Sequence, residues 1–87
     1  PPALHRRMAE VVGRPLLEMC GMTETGFYAI NPPCGPVKVG SIGLAMRGVA
    51  VRLVAPDGSD VPPGDIGHIV VRTPDMMVGY WNDTLQT

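Results

Sequence analysis

Near the start of the chain the apolar positions Leu4, Met8, Val11 and Val12 recur at the spacing of one helix face. His5, Arg6, Arg7 and Glu10 fall between them and form a polar face. The spacing predicts an amphipathic helix over residues 3–12, with His5 on its solvated side rather than in a catalytic role. Pro2 suits a first helical turn, where no N–H is needed, and Gly13 followed by Pro15 supplies the stop.

The period then changes. Residues 16–20, Leu-Leu-Glu-Met-Cys, are almost continuously apolar and read as a short strand buried in a sheet larger than this chain. Residues 21–36 read as a long loop punctuated by Gly26, Asn31-Pro32-Pro33 and Gly35-Pro36. Beyond Val39 the alternation is of period two. Val49, Val51 and Leu53 alternate with Ala50, Arg52 and Val54, and Ile69 and Val71 alternate with His68, Val70 and Arg72. Two half-buried strands in an antiparallel pair are expected, with His68 a strand-face residue. Pro56-Asp57-Gly58 and Pro62-Pro63-Gly64 lie between them as turns, proline fixing φ and glycine accepting the positive values. Residues 39–42 and 77–80 are candidate further strands.

The expected fold is mainly β with a short N-terminal helix, an α+β fragment. A small distorted β-barrel or curled antiparallel sheet follows the helix and one strand of a larger sheet. Residues 1–36 and 37–87 divide accordingly, the first part carrying a site loop and the second the β-rich subdomain.

Composition narrows the class. The 87 residues carry Lys+Arg 7 against Asp+Glu 8, a net charge of -1 with no basic run, which speaks against a nucleic-acid partner. No apolar stretch is long enough to cross a bilayer, and the N-terminus lacks the charged-then-apolar pattern of a signal peptide. Cys20 and Cys34 have no metal-ligand spacing and read as reduced thiols, so cytoplasmic residence is the default expectation. A chain this short buries a limited core, and one that begins Pro1-Pro2 is expected to be a piece of something longer.

The candidate chemistry sits at Cys20-Gly21-Met22-Thr23-Glu24. A glycine lets backbone N–H groups approach an anion, a threonine hydroxyl donates to a phosphate oxygen, and a glutamate offers the hard oxygen that Mg²⁺ prefers. Taken alone, the same five residues also describe an ordinary polar turn.

A second block follows in order: Val39-Gly40-Ser41-Ile42-Gly43, Arg47-Gly48-Val49, Asp57-Gly58, Val61-Pro62-Pro63-Gly64-Asp65-Ile66-Gly67, Ile69-Val70-Val71-Arg72 and Met77-Val78-Gly79-Tyr80-Trp81-Asn82. Together with Gly21-Met22-Thr23-Glu24, this series resembles the AMP-forming acyl-activating enzymes, a superfamily of acyl-CoA synthetases, luciferases and adenylation domains. The resemblance runs from about residue 2 to residue 87 and its wording is nearest to fatty or aryl acid ligases. It implies that Thr23 contacts the phosphate of ATP or of an acyl-adenylate and that Glu24 binds Mg²⁺. Gly21 and Met22 then lie near the acyl group, and Glu18, Met19 and Cys20 border the adenine. The implied ligands are ATP or AMP, Mg²⁺, coenzyme A and a small carboxylic acid.

Two positions depart from the family. Cys20 stands where an aromatic ring usually packs on the adenine, and His68 stands where glutamate is common. The chain has no Ser/Thr/Gly-rich loop ending in lysine and no Thr-Gly-Asp. It is therefore expected to be one wall of an active site, inactive by itself, with exposed surfaces that favour self-association. The contrasting expectation is a stand-alone β-rich interaction module with Thr23 and Glu24 in a plain surface loop.

Overall fold

A computed structural model describes residues 1–87. One helix and five strands follow in the order α1 (Pro2–Val12), β1 (Met19–Met22), β2 (Gly26–Ile30), β3 (Leu44–Ala45), β4 (Ala50–Val54) and β5 (His68–Arg72). The structure is mainly sheet with one short N-terminal helix, as the pattern predicts. Its sheets are open and antiparallel, one in the order β1-β2-β3 and one formed by β4 and β5.

α1 starts on proline and stops at Gly13, whose N–H donates to the Ala9 carbonyl at 2.9 Å. His5 is a correction to the expected polar face. It is half-buried, and its Nε2 donates to the Leu16 carbonyl at 3.1 Å, tying the helix to the segment that leads into β1.

Four expectations about strands and loops are also corrected. The strand placed over 16–20 lies at Met19–Met22, because its partner is β2 and the intervening turn sets the register. The loop expected over 21–36 contains β2 itself, an apolar run with two aromatics set between Gly26 and Asn31-Pro32. The strand expected over 39–42 is instead a turn, closed by the Ser41 N–H to the Lys38 carbonyl at 3.1 Å, and β3 follows at Leu44–Ala45. Gly43 allows this approach: a Cβ there would collide with the Ile30 carbonyl. Residues 77–80 form no strand; Tyr80 makes only an isolated bridge with Asp83.

The β4–β5 pair is as expected, with Val51 opposite Val71 and Leu53 opposite Ile69. Only five residues of the chain are buried, and they mark the best-packed region: Thr25, Tyr28, Ala29, Asn31 and Thr73. Asn31 donates through Nδ2 to the Ser41 carbonyl at 2.7 Å, and its Oδ1 accepts from the Lys38 N–H at 3.3 Å. Those two bonds satisfy its buried amide and pin the connection to β3. Thr73 lies just beyond β5, so the core forms where the exit of the second sheet meets the β1–β2 hairpin.

Candidate functional site

That hairpin carries the candidate chemistry. Met22 pairs with Gly26, leaving Thr23, Glu24 and Thr25 at the tip, and the Thr25 N–H donates to the Met22 carbonyl at 3.1 Å. Gly26 closes the turn at φ 65, a left-handed value that a Cβ disfavours, and a side chain there would also press on Asp75 at 3.3 Å.

One step earlier the ladder slips. Cys20 pairs with Ala29 but Gly21 pairs with Phe27, so Tyr28 is the extra residue of a β-bulge. The strands are close at this point: a Cβ on Gly21 would sit 2.7 Å from the Gly26 carbonyl oxygen and 2.9 Å from the Phe27 Cα. Gly21 is thus required by the packing of the hairpin's own backbone. Gly21, Met22, Thr23, Gly26 and Phe27 line an open hollow of about 420 Å³ beside the turn.

The remaining residues of the motif are distributed as follows. Thr23 is exposed at the tip. Cys20 is half-buried, and its Sγ lies 3.1 Å from the hydroxyl of the buried Tyr28. The contact with the Cys20 sulfur, and then burial, push the Tyr28 phenol above its ordinary pKa. Met19 is exposed on β1 opposite Ile30, and the Glu18 carbonyl accepts from the Asn31 N–H at 2.9 Å. Glu18 borders a different hollow, shared with Leu4, His5 and Met8 of α1, so the structure gathers Gly21, Met22 and Thr23 in one place and sets Glu18 apart.

Glu24 is not among the residues lining the hollow and meets the segment after β5. The Tyr80 hydroxyl donates to its Oε1 at 2.9 Å, and the Met77 N–H donates to its carbonyl at 2.8 Å. Beside it, the buried Thr73 hydroxyl donates to the Thr25 carbonyl at 2.9 Å and accepts from the Asp75 N–H at 2.9 Å. Its own backbone N–H and then the Tyr80 hydroxyl hold the Glu24 carboxyl below the usual value of 4.5, so it is ionised at neutral pH. The same bond, a little burial and the carboxylate's charge push the Tyr80 phenol above 10.0. Thr73, Met77 and Tyr80 are partners that the sequence pattern did not assign to the turn; the only signal was Gly79-Tyr80-Trp81 within the second motif block.

A family model described as AMP-binding enzyme matches residues 1–81. The chain belongs to the AMP-binding enzyme family. It is 43% identical over 82 residues to an indoleacetate–CoA ligase of Aromatoleum aromaticum, a match covering 92% of this chain and 15% of that relative. An anthranilate CoA ligase solved in complex with anthranoyl-AMP superposes with a TM-score of 0.88 at 31% identity, over 95% of this chain and 16% of the ligase. ATP-bound MatB from Rhodopseudomonas palustris superposes with a TM-score of 0.86 at 39% identity, over 93% of this chain and 16% of MatB. The chain thus spans about one sixth of the length of these AMP-binding enzymes.

As a member of this family, the chain brings one exposed hydroxyl, that of Thr23, and one ionised carboxylate to its turn. It contains no group of three or more His, Cys, Asp or Glu side chains able to hold a metal. A single carboxylate nevertheless fits Mg²⁺, which is commonly held by one or two carboxylates together with phosphate and water oxygens. Oε1 of Glu24 accepts one hydrogen bond from Tyr80, and a carboxylate keeps acceptor capacity beyond that one bond. No helix is long and apolar enough to cross a membrane.

Proposed function

We propose that this chain forms one wall of the adenylate site of an AMP-forming acid–thiol ligase. The β1–β2 hairpin carries the reading: a bulge at Gly21 leads into a tip that bears an exposed Thr23 and an ionised Glu24 carboxylate. The parent enzyme joins a carboxylic acid to coenzyme A at the expense of ATP. An oxygen of the acid attacks the α-phosphorus, the bond to pyrophosphate breaks, and an acyl-adenylate forms. The sulfur of coenzyme A then attacks the acyl carbon and AMP leaves.

Thr23 donates its hydroxyl to a phosphate oxygen, and the backbone of Gly21 and Met22 faces the acyl end. Glu24 holds Mg²⁺, which when bound supplies positive charge against the phosphates. Glu18, Met19 and Cys20 border the adenine; at Cys20 the wall offers a thiol held against Tyr28 in place of a stacking ring. The substrate is a fatty or aryl acid. Relatives named for indoleacetate and anthranilate support the aryl class, and relatives named for long-chain fatty acids support the fatty class. Residues 1–36 belong to the site-bearing part of the parent's large domain and 37–87 to its β-rich subdomain, in the cytoplasm. The 87 residues alone are expected to be inactive and to self-associate through exposed side chains such as Ile66, Trp81 and Leu85.

The test is ATP–pyrophosphate exchange by the full-length protein containing this chain, with aryl and fatty acids offered in turn. Acid-dependent exchange that is lost in Glu24→Gln and strongly reduced in Thr23→Val is expected. Absence of exchange with every acid, or full exchange in Glu24→Gln, overturns the assignment.

A further inference from the structure

We propose that Tyr80 is a positioning residue, holding the Glu24 carboxylate in the orientation from which it takes a divalent cation. This inference rests on the reading of Glu24 as the metal-binding carboxylate. It adds a residue, and a reason for the polypeptide after β5 to fold back over the turn.

The geometry is that of a clamp. Three hydrogen bonds run from residues 73–80 to two adjacent residues of the turn: Thr73 to the Thr25 carbonyl, Met77 N–H to the Glu24 carbonyl, and Tyr80 hydroxyl to Glu24 Oε1. The first two fix the successive carbonyls of Glu24 and Thr25, the backbone just after the Glu24 Cα. The third fixes its side chain. Glu24 is half-exposed and its side chain has several rotatable bonds, so without a partner it would sample many rotamers and lose that freedom on binding a metal.

Tyr80 is itself anchored. Its N–H donates to the Thr87 hydroxyl at 3.0 Å, and its carbonyl accepts from the Asp83 N–H at 3.5 Å. The Thr87 hydroxyl in turn donates to the Asp83 carbonyl at 2.8 Å, closing a compact terminal turn around the tyrosine backbone. The phenol is therefore presented from a fixed base. Tyr80 is 45% exposed, so the bond to Glu24 is not a by-product of core packing. A phenol is suited to the task, since at neutral pH it donates one hydrogen bond to one carboxylate oxygen without adding charge.

The decisive variant is Tyr80→Phe in the full-length protein, which keeps the ring and removes only the hydroxyl. Two readouts are taken: Mn²⁺ occupancy by electron paramagnetic resonance in the presence of a non-hydrolysable acyl-adenylate analogue, and the Mg²⁺ concentration that half-saturates ATP–pyrophosphate exchange. Both are expected to weaken about tenfold, the lower edge of what losing an outer partner costs a metal site. The KM for the acid and the thermal midpoint should stay near wild type. The double variant Tyr80→Phe, Glu24→Gln should bind Mn²⁺ no more weakly than Glu24→Gln alone. Wild-type metal affinity in Tyr80→Phe, with affinity lost in Glu24→Gln, overturns the positioning role and leaves the assignment of Glu24 standing. Undiminished Mn²⁺ binding in Glu24→Gln overturns both.

Discussion

Gly21→Ala is the smallest perturbation that reaches the site through the backbone. The added Cβ would meet the Gly26 carbonyl oxygen at 2.7 Å, the Phe27 ring at 2.8 Å and the Phe27 Cα at 2.9 Å. Two of these are main-chain atoms and cannot swing aside as a side chain would. Restoring the closest contact to the 3.4 Å of ordinary packing requires about 0.7 Å of movement between β1 and β2. Clashes of this kind in a packed region cost about 1–3 kcal/mol. The displacement falls one residue before Met22, whose carbonyl closes the turn, so Thr23 and Glu24 move with it. A misplacement of about 1 Å can lower a rate about 100-fold, so a loss of about tenfold to 100-fold in exchange rate is expected. The assay is ATP–pyrophosphate exchange by the full-length enzyme at saturating Mg²⁺, with thermal unfolding alongside. An exchange rate within about twofold of wild type and an unchanged midpoint would refute the reasoning, because the β-bulge would then have absorbed the methyl group without shifting the turn.

Thr73→Val keeps the shape of a buried side chain but strands the Thr25 carbonyl and the Asp75 N–H. A loss of about 1–3 kcal/mol is expected, read as a lower thermal midpoint, and an unchanged midpoint would contradict it. Asp57 accepts both the Ser59 hydroxyl at 2.6 Å and the Ser59 N–H at 2.9 Å, and these bonds hold its carboxyl below the usual 3.8. A lowered folded-state pKa means that its contribution is fully present above 3.8 and is lost as the pH falls through the folded value. The difference in midpoint between wild type and Asp57→Asn should therefore shrink in that acid window, and a difference that stays constant with pH would count against the bond.

The parts of the fold legible in the sequence were those with a local rule behind them. β4 and β5 alternate over five residues each and are separated by turns containing proline and glycine, so both position and pairing followed. β2 was hidden because Phe27, Tyr28, Ala29 and Ile30 are all apolar and therefore show no period of two, and because glycine and proline on either side signal a loop. β3 is two residues long, too short to have a period, and its place is set by how closely Gly43 approaches Ile30. At the site, the motif Gly21 to Glu24 was readable as chemistry. The bulge that makes Gly21 necessary depends on a partner strand, and the tyrosine that meets Glu24 stands 56 residues away. No local pattern encodes such a partner. Residues 77–80 looked like a strand because Met77, Val78 and Tyr80 are apolar in body, yet their hydrogen bonds go to a turn rather than to a ladder.

The clamp on the hairpin also sets an order of events in folding. The hairpin itself closes over neighbouring residues, a process of about 1–10 µs. The bonds from Thr73 and Tyr80 span 48 and 56 residues, and closing loops of that length is entropically dearer and slower. During synthesis the turn is made long before Tyr80 exists to meet it. An unfinished chain therefore carries the motif without its partnered carboxylate, and the turn acquires these hydrogen bonds only when the polypeptide beyond β5 has been made and has folded back.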